Sequence, residues 1–441
     1  MSLAAETPYN PTAAQRHSRS TLGLAQRNGR TRVYLMDLWS FIPYYMARLC
    51  ESLQEESVDV ELGSVRYHLD RNYFCRHGLY PDSALLDWGG RFQHPLVRRF
   101  VKSCEYVANL LGLSARFCAS RRRIIHVQFL PLVDRGLPFE IWFLRLCLWL
   151  GVRMVCTVHN FPDRDASRNL KFYERIYGMA DALICHGAEA KSRLISEFKV
   201  PTERIWIIPH GPLFDNKPEI SVLEARAELG LPCAETIVLC FGVINDYKGI
   251  PFLIDSWRLL IASGAKARLI IAGTGAADLL ADIRQKVINL GLESCIDLEL
   301  RFISVEELPL WHLAADILVY PYKGGTTSGA LLTGMNYGKA IVATRLPFFI
   351  EHLRDGENAA LIDYSDAESL ARTMGRLIND KAERSKLAQG VRAMRTGCSS
   401  WMEIARATRT CYERVLEMPS RRSENLTEAR SATRGHDVTA Q

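Results

Sequence analysis

The sequence has no run of about eighteen consecutive apolar residues, which excludes a membrane-spanning helix on length alone. Its opening residues, MSLAAETPYNPTAAQRHSRSTLG, hold no charged stretch followed by an apolar core, so no secretory signal is expected. Twelve cysteines are present, yet no two form a CxxC pair, and several lie inside apolar runs, such as Cys156 in VRMVCTV and Cys240 in IVLCF. They read as reduced core residues of a cytoplasmic protein, not as disulfides or a zinc site. No basic stripe interleaved with aromatics appears, so nucleic acid is not an expected partner. No metal-ligand cluster is read from the spacing either, and neither a metal nor another cofactor is expected.

What is present is the composition of a globular chain: 48% hydrophobic and 24% charged residues over 441 positions. That length exceeds one ordinary core, so two or three domains are expected. The net charge of +6 is modest, with part of it in residues 1–30 and in Arg121, Arg122 and Arg123. It suits anionic lipid or phosphorylated substrates.

Residues 1–30 are polar and rich in Ser, Thr and Arg, and are expected to be disordered. Strand candidates follow at 32–36 (RVYLM), 65–69 (VRYHL), 123–129 (RIIHVQF), 152–158 (VRMVCTV), 182–185 (ALIC) and 204–208 (RIWII). Helical patterns such as HPLVRRFVKSCEYVANLLG separate them. Short, near-continuous apolar strands alternating with helices argue for a parallel sheet covered on both faces. The alternation pauses at IPHGPLFDNKP and then restarts with TIVLCFG, LIIAGTG, IDLEL, ILVYPY, AIVAT and AALID. The fold class is therefore α/β, with two Rossmann-like, doubly wound parallel-sheet domains facing a cleft. The expected divisions are 31–212, a linker at 213–233, a second domain at 234–398, a helix at 399–418 capped by Ser399 or Ser400, and a disordered tail at 419–441. One segment, 139–151 (FEIWFLRLCLWLG), is apolar nearly all round and reads either as a buried helix or as one resting on a bilayer.

The chemistry concentrates at 321–344, PYKGGTTSGALLTGMNYGKAIVAT, where a buried strand leads through a Gly/Thr/Ser turn into a helix. Free amides at such a start favour an anion. Thr327 and Ser328 are good N-cap types, and Gly329 would let a phosphate approach the backbone. An ordinary capped helix between two strands is the plainer reading. Upstream, FGVINDYKG places Gly242 at a strand end and Lys248 six residues beyond it.

Taken with TVHNFP, ADALICHGAEAKSRL, IIPHG, LIIAGTG, EELPLWHLAADILVYPY and IEHLRDGENAALID, this order resembles the family 4 (group 1) glycosyltransferases over roughly residues 122–416. The resemblance implies the GT-B fold, with a nucleotide sugar held mainly by the second domain. It implies Lys248 at the donor diphosphate, with Gly242, Tyr322, Thr327, Ser328, Gly329 and Thr333 around the donor. It also implies His159 facing the donor sugar or the reacting oxygen, and a glutamate, Glu351, that fixes the Asp355–Gly356–Asn358 turn. This chain departs from that pattern. Retaining members carry two glutamates with seven residues between them, and here Gly325 and Thr333 stand in those places. The usual arginine after FG is Val243, with Arg301 and Lys323 as candidate replacements.

An inverting reaction would need a base, and Asp37, His126, His159, Asp163 and Asp165 are the candidates, Asp37 first. The competing reading of Asp37 is a helix cap, and that of His126 a packed strand histidine. The expected activity is transfer of a sugar from a nucleoside diphosphate donor to a hydroxyl of a glycan or lipid-linked acceptor, for surface polysaccharide assembly. The expected place is the cytoplasm, at the inner face of a membrane. The alternatives are a catalytically degenerate sugar-nucleotide-binding partner protein and a GT-B nucleotide-sugar epimerase.

Overall fold

A computed structural model describes residues 31–92, 94–119, 124–161, 167–214, 218–325, 328–395 and 399–419. Residues 1–30 and 420–441 of the ends expected to be disordered, Arg121 to Arg123, Asp163, Asp165 and Thr327 lie outside the described residues.

Six strands form the first sheet: β1 (Arg32–Asp37), β2 (Asp59–Ser64), β3 (Ile124–Val127), β4 (Arg153–Thr157), β5 (Ala182–Cys185) and β6 (Ile205–Ile207). They pair in parallel in the order β2-β1-β3-β4-β5-β6. The intervening helices are α1 (Pro43–Glu55), α2 (Tyr73–Arg76), α3 (Pro95–Ala119), α4 (Phe139–Trp149), α5 (Ser167–Met179) and α6 (Ala188–Ser196). Because side chains alternate along a strand, β1 feeds two cores. Tyr34 and Met36 join α3 and α4 on one face, while Val33 and Leu35 join α1 on the other.

The second sheet contains β7 (Thr236–Phe241), β8 (Ala267–Ala272), β9 (Ile296–Glu299), β10 (Ile317–Tyr320), β11 (Ala340–Thr344) and β12 (Ala360–Ile362), in the order β12-β11-β10-β7-β8-β9. Its helices are α7 (Val222–Glu228), α8 (Ile250–Ala262), α9 (Ala277–Asn289), α10 (Leu308–Ala314), α11 (Gly329–Met335), α12 (Pro347–His352), α13 (Ala367–Asn379) and α14 (Lys381–Arg395). The two-sheet α/β architecture expected from the alternation is the one observed.

Local differences have physical causes. VRYHL is not a strand; the second strand is the preceding DVELGS. That edge strand pairs with β1 alone and leaves its first half partly exposed, so its acidic residues tolerate a place that apolar patterning would not select. Gly63 is required there, because a Cβ would lie 2.3 Å from the Tyr34 ring. Within 213–233, α7 folds behind a capping box of Ser221 and Glu224, and its Arg226 is buried against Asp316 and the Ala314 carbonyl.

The last helix, α15 (Trp401–Glu417), is capped by Ser400 with Glu403 and returns to the first half. It packs on α1, sends the Trp401 Nε1–H to the Pro212 carbonyl at 2.7 Å, and joins Arg406 and Arg409 to Glu56. Among the described residues no helix is long and apolar enough to cross a membrane.

Candidate functional site

In a parallel sheet the carboxyl ends of all strands open on one side, and residues just past those ends line whatever lies there. In the first half these residues are polar. Asp37 ends β1, Gln128 follows β3, His159 lies two residues past β4, His186 follows β5, and His210 stands three residues past β6.

Three of these side chains, Gln128, His159 and His186, join His126 in one buried network. His186 Nδ1 lies 2.9 Å from the Ile208 carbonyl, which only accepts, so Nδ1 carries the proton. Burial pushes the His186 pKa down to about 4, and its Nε2 lies 3.3 Å from His159 Nδ1. His159 is held neutral by the same desolvation, reinforced by His186 and His210. Its Nε2 lies 2.8 Å from the side-chain amide oxygen of Gln128. The other end of that amide meets His126 Nε2 at 3.0 Å, and the Tyr412 hydroxyl reaches His126 Nδ1 at 2.6 Å. The His159 ring also stacks on Phe129, with centroids 5.0 Å apart. Both of its nitrogens are engaged inside the protein, and it offers the cleft an uncharged face.

Asp37 is wholly buried, and its Oδ2 accepts the amides of Phe41 and Ile42 at the head of α1, at 2.7 and 3.1 Å. Asp37 thus pins the turn ahead of α1 without being its cap: the N-cap position is Ile42, and no side chain caps that helix. Its Oδ1 meets no hydrogen-bond partner among the described residues, and burial raises its pKa to about 6.

The second half presents its own strand ends. Gly242 leaves β7 at φ +120°, and a Cβ there would sit 3.4 Å from Lys248 Nζ and 3.5 Å from Ala330. Lys248 ends a 3-10 turn (Asp246–Lys248) and is buried. Its ammonium donates to the Tyr322 hydroxyl and lies 4.3 Å from that ring's centroid. Desolvation lowers its pKa, and among the described residues only Tyr247 and Cys240 work against that. Burying a cation without a carboxylate is costly unless an anion arrives.

Ser328 caps α11, its Oγ accepting from the Leu331 amide at 3.1 Å and lying 3.3 Å from the Tyr322 hydroxyl. The space over Gly329 is not open for a phosphate as the sequence suggested: a Cβ would lie 2.6 Å from the Leu213 side chain. Thr333 is buried within α11, and its Oγ1 meets no partner among the described residues. The candidate replacement charges are already committed. Arg301 pairs with Glu299 and Glu307, and Lys323 with Asp246.

The two halves meet along this line. His210 lies 3.6 Å from where a Gly329 Cβ would stand, and the Asn336 amide donates to the Phe214 carbonyl at 2.9 Å. Glu351 does not fix the turn that follows it. Asp355 and Asn358 do so themselves, accepting the amides of Leu361 and Arg354, while Glu351 accepts from the Glu189 amide in the other half. Gln128, His186 and His210 were not singled out by sequence; the signal was a polar residue one to three places past each apolar strand. Among the described residues, no group of three or more His, Cys, Asp or Glu is arranged to hold a metal ion.

Comparison with known proteins agrees with the two-sheet fold. Residues 42–211 match the family described as Glycosyltransferase Family 4, and residues 235–380 that described as Glycosyl transferases group 1. The chain is 25% identical over 343 residues to the D-inositol 3-phosphate glycosyltransferase of Thermobispora bispora, an alignment spanning 71% of this chain and 76% of that one. It is 26% identical to the lipopolysaccharide core biosynthesis mannosyltransferase LpsB of Rhizobium meliloti, over 67% of this chain and 84% of that one. In fold it resembles a glycosyltransferase of Rickettsia africae (TM-score 0.67, 14% identity, 89% and 100% of the two chains). It likewise resembles Anabaena HepE solved with UDP-glucose (TM-score 0.67, 14% identity, 88% and 100%).

Proposed function

The chain belongs to the group 1, family 4 glycosyltransferases of GT-B fold, and from that premise we propose that its donor is a nucleoside diphosphate sugar held at Lys248. The observation that carries the reading is a buried ammonium with no carboxylate beside it among the described residues. A diphosphate supplies the missing charge and takes the ammonium as a charge-assisted donor. The Tyr322 hydroxyl, between Lys248 and Ser328, holds both in line, and Gly242 leaves room on the opposite side. Thr333, standing where a carboxylate is usual, offers a hydroxyl that the protein leaves without a partner among the described residues. As the glycosidic bond to the diphosphate breaks, negative charge grows on the leaving oxygen, and Lys248 is placed to stabilise it.

On the acceptor side, the neutral His159 stacked on Phe129 gives the donor sugar an uncharged wall. Asp37, with its carboxyl raised to about 6, is the candidate for the acceptor proton once the turn at the head of α1 releases it. The acceptor is proposed to be a hydroxyl of a glycan or lipid-linked glycan, in keeping with the lipopolysaccharide named for one relative.

The test is thermal unfolding against a panel of nucleoside diphosphates and their sugars, with Lys248→Ala in parallel. Ligand at a hundred times its dissociation constant should add about 2.7 kcal/mol. One nucleotide raising the melting temperature, with the rise lost in the variant, supports the reading. A well-folded protein that responds to none overturns it. Binding with no transfer to any acceptor would favour a partner protein that has kept the pocket without the chemistry.

A further inference from the structure

We propose that the outer face of the first half, formed by α3 and α4, docks on an anionic lipid bilayer. The two helices share one layer. Tyr106, Leu110 and Phe117 of α3 and Ile141, Phe143 and Leu144 of α4 enter the same core. The Tyr106 hydroxyl donates to Glu140 at 2.7 Å, and the Phe117 and Phe143 rings lie 5.8 Å apart. Their opposite faces therefore look the same way, outward.

A helix on a soluble surface normally turns charged residues to water. On α3 the outward stripe at three- and four-residue steps is Val97, Phe100, Cys104, Ala108, Leu111 and Ala115, every one exposed. Phe100 is 71% exposed and Leu111 69%. On α4 the outward residues include Trp142 at 58% and Trp149 at 64%. The segment that read from sequence either as buried or as lying on a bilayer thus buries one face and leaves the other, with both tryptophans, exposed.

Charge selects the occupant. Within residues 88–119 and 137–151 the acidic residues are Glu105 and Glu140. Both are buried, Glu105 on the amides of Trp88 and Gly89, Glu140 on those of Leu132 and Val133. The exposed charges include Arg91, Arg99 and Arg145, and none is negative. A second copy would bring like charge against like charge. An anionic bilayer accepts the arginines and takes the tryptophans at its interface, where such rings settle.

The full-length protein is floated with vesicles of phosphatidylcholine alone and of phosphatidylcholine mixed with phosphatidylglycerol. The wild type is expected to float with the mixed vesicles, less with added salt, and little with phosphatidylcholine alone. Phe100→Glu and Trp142→Glu should each weaken binding about tenfold, while Ile288→Glu, on an exposed position of α9, leaves it unchanged. Since all three side chains are exposed, the variants should melt with the wild type, which separates lost binding from lost fold. Failure of the wild type to float, equal flotation with both vesicle types, or full binding by Phe100→Glu and Trp142→Glu overturns the proposal. So does a dimer, seen by sedimentation, that the same two substitutions break while no flotation occurs.

Discussion

Glu351 of the second half accepts a hydrogen bond at 3.2 Å from the Glu189 amide at the head of α6 in the first half. The fit is close: a Cβ on Gly187 would lie 2.1 Å from Glu351 Oε2. A carboxylate at a helix start is well placed electrostatically, so this contact joins the halves across the cleft.

Glu351→Ala is therefore expected to loosen the closed arrangement, with a stability loss of about 1 kcal/mol or less because the contact is solvent-exposed. Gly187→Ala should act the same way by displacing the carboxylate. Small-angle scattering should give a larger radius of gyration for both variants. Unchanged scattering in both would mean that the contact does not hold the halves together.

Lys248→Met removes a buried charge at similar length. In the ligand-free protein it is expected to melt at or above the wild-type temperature, while stabilisation by a nucleoside diphosphate is lost. A variant that melts lower and still responds to nucleotide would contradict the role given to Lys248. Thr333→Val should behave in parallel, gaining roughly 1 kcal/mol by removing an unpartnered hydroxyl and binding donor less well.

The buried histidines set the acid response. His126, His186 and His210 have pKa values lowered to about 3, 4 and 3, and His159 and His312 are lowered too. A group depressed in the folded state gives stability that is complete above the unfolded value, near 6.5, and lost as pH falls toward the folded one. Each contributes up to about 1.4 kcal/mol per pH unit in that window. Asp37 and Glu140, raised to about 6 and about 7, act oppositely: their stability is present at low pH and lost as pH rises through those values. The histidines outnumber them, so the melting temperature should be lower at pH 5.5 than at pH 7.5, and the fall should steepen in Glu140→Gln. Nuclear magnetic resonance should find the five imidazoles unprotonated at pH 5.5. Ordinary titration near 6.5 would sink the prediction.

Two glycines separate backbone strain from collision. Gly249 and Gly291 both have left-handed φ, +68° and +63°. A Cβ at Gly291 meets nothing within 4 Å, whereas one at Gly249 would lie 1.9 Å from the Pro321 carbonyl oxygen. Gly291→Ala is expected to cost about 1 kcal/mol of strain alone. Gly249→Ala should cost clearly more in denaturant unfolding, because backbone on the far side must move. Equal losses would mean that the Pro321 segment yields freely.

Sequence reading reached the features that repeat locally. Apolar runs such as TIVLCF and AIVAT locate β7 and β11, and the spacing from Gly242 to Lys248 already places a cation past a strand end. DVELGS carries no local strand signal, because its burial depends on Tyr34 and an edge position. The engagement of His159 depends on Gln128 and His186, about thirty residues away on either side. The reach of Glu351 to Glu189 crosses 162 positions, and periodicity holds no information on such pairings. The outer stripe of α3 was legible in principle, but HPLVRRFVKSCEYVANLLG reads as two apolar faces, and only packing shows which one is covered.

The return of α15 has a mechanical consequence. The polypeptide passes between the halves twice, once near Pro212 and once ahead of Trp401, and the Trp401 indole is bonded to the Pro212 carbonyl. Two bodies tethered at one point can swivel in any direction. Tethered at two adjoining points, they behave like a lid on a paired hinge, and the line through Pro212 and Trp401 becomes the axis about which the cleft opens and shuts.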